Sequence, residues 1–139
     1  MNFFRKGFVP TTVVNIHCFV RFAGSYRTTS TIIMSDVKDL VDSKIAGKKV
    51  MVFSKSSCPF CVKAKDVLKK YIGDILSADD YEVMEIETNS KCGAIQNYLG
   101  SITGGSTVPR VFINGQFLGG GDETVAAHKS GQLKSLLQA

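Results

Sequence analysis

Hydrophobic and polar residues recur with two different periods along residues 35–139, and the two periods predict helices and strands in turn. Apolar residues at helical spacing predict a first helix that Ser35 or Asp36 caps and Gly47 ends. The second helix is the clearest, because its apolar side chains form one stripe and four lysines fill the other side. The predicted helices are 35–47, 59–72, 94–102 and 122–137 with a break near Gly131, and the predicted strands are 49–54, 81–87, 111–113 and 117–118.

The order of these elements, α-β-α-β-α-β-β-α, predicts the fold class. Asn114-Gly115 lies between the last two strands and is typical of a tight hairpin. A β-α-β unit followed by a hairpin implies a mixed sheet of four strands with helices on both faces. The sequence has no internal repeat, so we expect one α/β domain.

Residues 1–34 differ in composition from the rest of the chain. They are rich in Arg, Thr, Ser and Phe and contain no acidic residue, a composition that resembles a mitochondrial transit peptide. The alternative is a disordered upstream extension, with translation starting at Met34. Both interpretations place the leader outside a folded domain of residues 35–139. We expect a mitochondrial protein if the leader is a transit peptide and a cytoplasmic one otherwise.

The formal net charge of +5 belongs mostly to this leader. Residues 1–34 contribute four basic residues and no acid, whereas residues 35–139 contain 13 basic and 12 acidic residues. A nucleic-acid-binding domain needs a clustered basic face, which the body of the chain lacks. No apolar run reaches the length of a membrane span. We therefore expect neither nucleic acid nor a membrane among the partners.

The cysteine spacing indicates the chemistry. Four cysteines are too few for a disulfide-stapled secreted scaffold, and two of the four form a C-x-x-C pair. A structural zinc site needs a second pair of ligands, and both histidines lie far away in sequence, so we expect no metal. We expect Cys92 to be structural or incidental, with regulatory glutathionylation as the alternative, and His128 to lie on a helix surface. The cysteines are Cys18, Cys58, Cys61 and Cys92.

Cys58 follows a predicted strand and opens a predicted helix. A helix N-terminus carries unpaired N–H groups and positive dipole charge, both of which favour a thiolate. Pro59 suits the first helical position, and Lys55 adds positive charge. Cys61 lies one turn further along the helix, within reach of a disulfide on Cys58. This placement predicts thiol–disulfide exchange with Cys58 as nucleophile and Cys61 as resolving thiol.

Four separated segments, in order, resemble the dithiol glutaredoxins, which have the thioredoxin fold. Phe60 stands where that family usually has Tyr, so we expect the packing role of the ring and no role for a hydroxyl. The resemblance spans about residues 36–137. The segments are 55–61 (KSSCPFC), 95–99 (IQNYL), 107–113 (TVPRVFI) and 118–122 (LGGGD).

The resemblance implies glutathione as co-substrate and a binding site for it around Cys58. It implies a cis peptide bond before Pro109, which would leave the Val108 backbone free to pair with an extended peptide. The glycine turn before Asp122 would bind the γ-glutamyl end, and Lys55 and Gln96 would lie near the glycyl carboxylate. The expected glutathione-binding residues are Lys55, Phe60, Gln96, Thr107, Val108, Pro109, Gly120, Gly121 and Asp122.

The implied activity is glutathione-dependent reduction of protein–glutathione mixed disulfides and of protein disulfides, by a monomer whose partners are glutathione and those proteins. The main alternative is a scaffold or carrier in which one cysteine from each of two subunits and two glutathiones hold a [2Fe–2S] cluster. An absorbance spectrum of protein purified without oxygen separates the two. A thioredoxin is less favoured, because the chain has no Trp and Pro-Phe replaces Gly-Pro. A non-catalytic interaction module would survive alkylation of Cys58.

Overall fold

The computed structural model describes residues 29–139, with side chains described from residue 33 onward. Five helices and four strands alternate along this part of the chain, with short 3-10 turns at Ala78–Asp80 and Ile86–Thr88. The helices are α1 Thr29–Gly47, α2 Pro59–Lys69, α3 Cys92–Thr103, α4 Gly121–Lys129 and α5 Gln132–Gln138. The strands are β1 Val50–Ser54, β2 Tyr81–Glu85, β3 Arg110–Ile113 and β4 Gln116–Gly119.

The four strands form one mixed sheet in the order β2-β1-β3-β4. Strand β1 pairs in parallel with β2 and antiparallel with β3, and β3 pairs antiparallel with β4. The hairpin turns at Asn114 and Gly115, whose φ angles are 51° and 81°, as its Asn-Gly pair predicts. The predicted α/β fold with a mixed four-stranded sheet is confirmed.

The core lies on both faces of the sheet, because successive side chains of β1 point to opposite sides. Val50 and Val52 pack on one face with residues of α2, α4 and α5. Met51 and Phe53 pack on the other with residues of α1 and α3. All five residues of β1 are buried, so the strand that leads into the C-x-x-C pair is anchored along its whole length. Within residues 29–139, no helix has both the length and the apolarity that crossing a membrane requires.

Helix α1 begins at Thr29, so the predicted cap at Ser35 or Asp36 is wrong. No glycine or proline precedes these residues within the helix, and nothing in the backbone chemistry therefore interrupts it. The helix is packed only from Val37 onward, whereas Ile33 and Met34 are 39% and 54% exposed. The leader predicted for residues 1–34 lies almost entirely outside the described residues. The break predicted near Gly131 is present, between α4 and α5, whereas α2 ends at Lys69 and β2 at Glu85, two to three residues before their predicted ends.

Candidate active site

Cys58 occupies the N-cap position of α2, immediately before the first helical residue. Its backbone is extended (φ −92°, ψ 117°), and its Sγ accepts a hydrogen bond from the Cys61 N–H at 3.4 Å. Pro59 takes the first helical position, where a missing N–H has no cost. A sulfur in the place of a usual capping oxygen faces the free N–H groups of the first turn, and this geometry stabilises negative charge on it.

The two cysteines of the pair differ in exposure. Cys58 is half-buried, whereas Cys61 is completely buried, and both are free thiols. Burial raises the pKa of the Cys61 thiol, and the hydrogen bond with the Cys58 side chain raises it further. Cys58 is therefore the sulfur that an external disulfide can reach, and Cys61 is a buried, protonated thiol.

Among the described residues, no three His, Cys, Asp or Glu side chains are grouped to hold a metal ion.

The segment before β3 lies against Cys58. The peptide bond between Val108 and Pro109 is cis, as the family resemblance implied. The Cys58 Sγ lies 3.7 Å from the Val108 carbonyl oxygen. Just upstream, Thr107 accepts a hydrogen bond from the Arg110 guanidinium at 3.2 Å. The Val108 backbone therefore forms one side of the space around the Cys58 sulfur.

The start of α4 closes a second side of the site by close backbone packing. A Cβ atom built at Gly121 would lie only 2.7 Å from the Phe60 carbonyl oxygen, so the two helix N-termini touch there. The Gly120 N–H donates to the Glu123 carboxylate at 2.9 Å. Asp122 is exposed in the first turn of α4. Phe60 keeps a partly open ring, 46% exposed, beside this turn.

Polar side chains form the opposite side of the site. The Lys55 ammonium donates to the Gln96 side-chain oxygen at 3.1 Å, although the two residues are 41 positions apart. Gln96 in turn donates to the Ser106 carbonyl at 2.9 Å, and the Cys92 thiol lies 3.7 Å from the same Gln96 oxygen. Lys55 and Gln96, which the resemblance places near the glycyl carboxylate of glutathione, are thus hydrogen-bonded to each other.

Sequence reasoning missed two polar contacts and one buried polar residue. The Glu87 carboxylate accepts from the Ser56 N–H at 2.6 Å and from its hydroxyl at 2.5 Å, and these bonds hold the pKa of Glu87 below its usual value. Ser54 ends β1 as a completely buried polar residue. His128 was expected on a helix surface, but it is half-buried and bonded through Nδ1 to the Tyr71 hydroxyl at 2.6 Å. Only the buried serine had a local signal, a polar residue closing an apolar strand.

Comparison with known proteins agrees with this geometry. The family model of glutaredoxins matches residues 50–118. Glutaredoxin-C4 of Arabidopsis thaliana is 44% identical over 137 residues, which cover 99% of this chain and 93% of that protein. The crystal structure of oxidized glutaredoxin 2 from Chlamydomonas reinhardtii is 47% identical, with a TM-score of 0.69 over 76% of this chain and 94% of that one.

A buckwheat glutaredoxin–glutathione complex matches with a TM-score of 0.69 at 28% identity, over 79% of this chain and 93% of that one. The chain therefore belongs to the glutaredoxin family, as an oxidoreductase with the thioredoxin fold.

Proposed function

We propose that this glutaredoxin uses glutathione to reduce protein–glutathione mixed disulfides and protein disulfides, with Cys58 as nucleophile and Cys61 as resolving thiol. The observation that carries the proposal is the asymmetry of the pair. Cys58 caps α2, half-exposed, beside the Val108 backbone, while Cys61 is buried one turn along. A thiolate must be accessible to attack an external disulfide, as Cys58 is. Burial protects the second thiol, Cys61, from external reagents.

In the one-cysteine route, the Cys58 thiolate attacks the glutathione sulfur of a protein–glutathione disulfide. The protein thiolate leaves and takes up a proton, and Cys58 is left in a disulfide with glutathione. A second glutathione thiolate then attacks the glutathione sulfur of that disulfide. Oxidised glutathione leaves, and Cys58 returns as a thiolate held by the N–H groups of α2.

In the two-cysteine route, Cys58 attacks a disulfide of the substrate protein and forms a mixed disulfide with it. Cys61 loses its proton to solvent and attacks the Cys58 sulfur. The second substrate thiolate leaves and is protonated, so the substrate gains two electrons and the enzyme becomes the Cys58–Cys61 disulfide. Two glutathione molecules then reduce this disulfide and leave as oxidised glutathione.

In this proposal, glutathione binds next to Cys58 and contacts residues on both sides of it. The Val108 backbone, next to the cis Pro109, would pair with the peptide, and Thr107 begins the same segment. The backbone at Gly120 and Gly121 and the Asp122 carboxylate would hold the γ-glutamyl end. At the other end, Lys55 and Gln96 would bind the glycyl carboxylate, and the open Phe60 ring would cover the ligand. The buckwheat homologue crystallised with glutathione supports this ligand class.

The first test is glutathione-dependent reduction of a small mixed disulfide by the purified full chain and two variants. Cys58→Ser is expected to lose at least about a hundredfold in rate, because the nucleophile is gone. Cys61→Ser is expected to retain this reaction and to lose reduction of a protein disulfide. Substantial activity in Cys58→Ser would contradict the mechanism, and equal loss of both reactions in Cys61→Ser would contradict the two routes.

We also propose that the chain acts as a monomer and that the acid-free leader directs it to mitochondria. Light scattering of the purified protein tests the first statement. Fluorescent fusions of the full chain and of a chain started at Met34 test the second. Equal cytoplasmic signal from both fusions would contradict a transit peptide.

A further inference from the structure

Ser54 is the last residue of β1, four positions before Cys58, and it is completely buried. Its side chain is on the same face of β1 as Val50 and Val52, because side chains alternate along a strand. That face packs against α2, and Cys61 belongs to the buried stripe of α2 together with Ala64, Val67 and Leu68. The strand and the helix therefore bring the Ser54 hydroxyl to the side of α2 that carries the resolving thiol.

The Ser54 hydroxyl has no hydrogen-bond partner at ordinary distance among residues 33–139, and its weaker interaction with the Cys61 sulfur lowers the pKa of that thiol. A buried hydroxyl without a partner is costly, so its position calls for an acceptor in some state of the protein. A protonated thiol is a weak acceptor, whereas a thiolate is a strong one. Ionisation of a neighbouring sulfur would supply the missing partner.

The surroundings of Cys61 offer few other means of holding a charge. Burial is the largest influence on the pKa of this thiol and raises it, followed by the Cys58 side chain, which also raises it. Two groups act in the opposite direction, the Lys55 backbone and the Ser54 hydroxyl. Charge on the Cys58 sulfur also raises this pKa, and in the described part of the chain no basic side chain is among the groups that lower it.

We propose that Ser54 is a positioning residue for the two-cysteine route, its hydroxyl donating a hydrogen bond to the Cys61 thiolate when that thiolate forms. The inference rests on the proposed function and adds to it a residue that touches no substrate. The inference is based on a buried hydroxyl that has no partner and lies on the face of β1 that packs against α2.

The hydrogen bond acts at two steps. When Cys61 loses its proton to solvent and attacks the Cys58 sulfur of a mixed disulfide, Ser54 stabilises the attacking thiolate. When glutathione attacks the Cys58 sulfur of the internal disulfide, the S–S bond breaks and Cys61 leaves with the electron pair. Ser54 then stabilises the departing thiolate before solvent protonates it. The one-cysteine route never ionises Cys61, so it does not use Ser54.

The test follows both thiols in one stopped-flow reaction with 5,5′-dithiobis(2-nitrobenzoate), using the full chain with Cys18→Ser and Cys92→Ser. Attack by Cys58 releases one coloured thiolate in a phase that depends on reagent concentration. Attack by Cys61 on the resulting mixed disulfide releases a second, independently of concentration. The first phase is thus an internal control for the second.

Ser54→Ala is expected to leave the first phase unchanged and to slow the second about threefold at neutral pH. Loss of a hydrogen bond to a charged sulfur raises the pKa of that sulfur and lowers its thiolate fraction about tenfold, while the more basic thiolate becomes about threefold more nucleophilic. The second phase of Ser54→Ala should therefore approach the wild-type rate as the pH rises and then exceed it. A defect of packing alone would slow the second phase equally at every pH.

Two variants complete the design. Val52→Ala removes volume from the same face of β1 and should lower the unfolding midpoint without moving the pH dependence of the second phase. Ser54→Thr retains a hydroxyl and should restore the wild-type pH profile. A second phase in Ser54→Ala that is unchanged, or slowed by the same factor at all pH values, would overturn the inference. Failure of the unmodified chain to reduce a glutathione mixed disulfide would instead overturn the proposed function.

Discussion

The two sides of the site around Cys58 are built from different kinds of contact. The polar wall consists of Lys55, Ser56, Glu87 and Gln96, which join segments far apart in sequence through side-chain hydrogen bonds. The glycine wall consists of residues 119–121, of which Gly121 closely approaches the Phe60 backbone and Gly120 lies beside the Pro109 carbonyl. One wall depends on charge and hydrogen-bond partners, and the other depends on the absence of side-chain volume.

The comparison indicates how each wall can fail. Water can replace part of an exposed hydrogen bond, so the polar wall should lose function gradually and in a way that salt or pH modifies. No solvent can make room for an extra atom between two packed backbones, so the glycine wall should fail abruptly. The following substitutions test this difference, from the largest expected effect to the smallest.

Gly121→Ala should have the largest effect. Its Cβ would lie 2.7 Å from the Phe60 carbonyl oxygen, so α2 and α4 must move apart. We expect a loss of about 1–3 kcal/mol in free energy of unfolding, and a fall of at least about tenfold in kcat/KM for the glutathione mixed disulfide. Chemical denaturation and steady-state kinetics measure the two effects.

Gly93→Ala is the matched control, because Gly93 also lies in the first turn of a helix, and a Cβ built there meets no atom within 4 Å. Alanine is the better helix former, so this variant should be at least as stable as the wild type. Equal behaviour of the two variants would show that the contact between Gly121 and Phe60 does not matter.

Lys55→Gln should have an intermediate effect on the polar wall. It removes the charge next to Gln96, so KM for glutathione should rise about fivefold at low salt. The difference should narrow in high salt, which screens the wild-type attraction. Lys134→Gln makes the same change of charge on the exposed surface of α5 and should alter neither KM for glutathione nor its dependence on salt. A salt-independent defect would mean that Lys55 acts through packing.

Glu87→Gln should have the smallest effect, since the carboxylate is fully exposed, and kcat/KM should change by less than about twofold. The informative measurement is an NMR titration of the Ser56 amide. Hydrogen bonds from Ser56 hold the pKa of Glu87 below its usual value, so the contact persists through the range where free carboxylates protonate. The contact between Ser56 and Glu87 stabilises the fold at pH values above the range where free carboxylates protonate. This stabilisation is lost as the pH falls through the lowered pKa of Glu87.

The Ser56 amide resonance should therefore follow a transition at lower pH than ordinary glutamates, and Glu87→Gln should abolish it. The Gln132 amide is a control, because its acceptor is the Ser130 hydroxyl and neither side chain titrates in this range. A Ser56 transition at the ordinary glutamate pH would contradict the short hydrogen bonds.

Periodicity was sufficient for the sheet and for most of the helices, because each element buries a regular stripe of side chains. The strand β1 and the hairpin at Asn114-Gly115 follow directly from local residue types. The start of α1 was wrong, since Ser35 could cap a helix but nothing forces the helix to begin there. A boundary set only by permissive residues has no local signal.

The features of the site likewise fall into those that the local sequence predicts and those that it does not. The placement of Cys58 could be read from a strand, a proline and a helix that are contiguous in sequence. The contact between Ser56 and Glu87 could not, because the residues are 31 positions apart and meet only after β1 and β2 pair in parallel. The contact between Tyr71 and His128 likewise depends on the packing of α2 against α4, which no pattern within either helix specifies.

The sulfur that caps α2 has a further consequence. Folding and reduction form a closed thermodynamic cycle, so any free energy that the cap adds to the folded dithiol form appears equally in the reduction potential of the pair. A sulfur in a disulfide is a poorer acceptor for the helix N–H groups than a thiolate, so oxidation weakens the first turn. The melting temperature of the reduced form relative to the oxidised form and the oxidising strength of the enzyme are therefore two measures of one coupling. A mutation that changes the helix cap must change both.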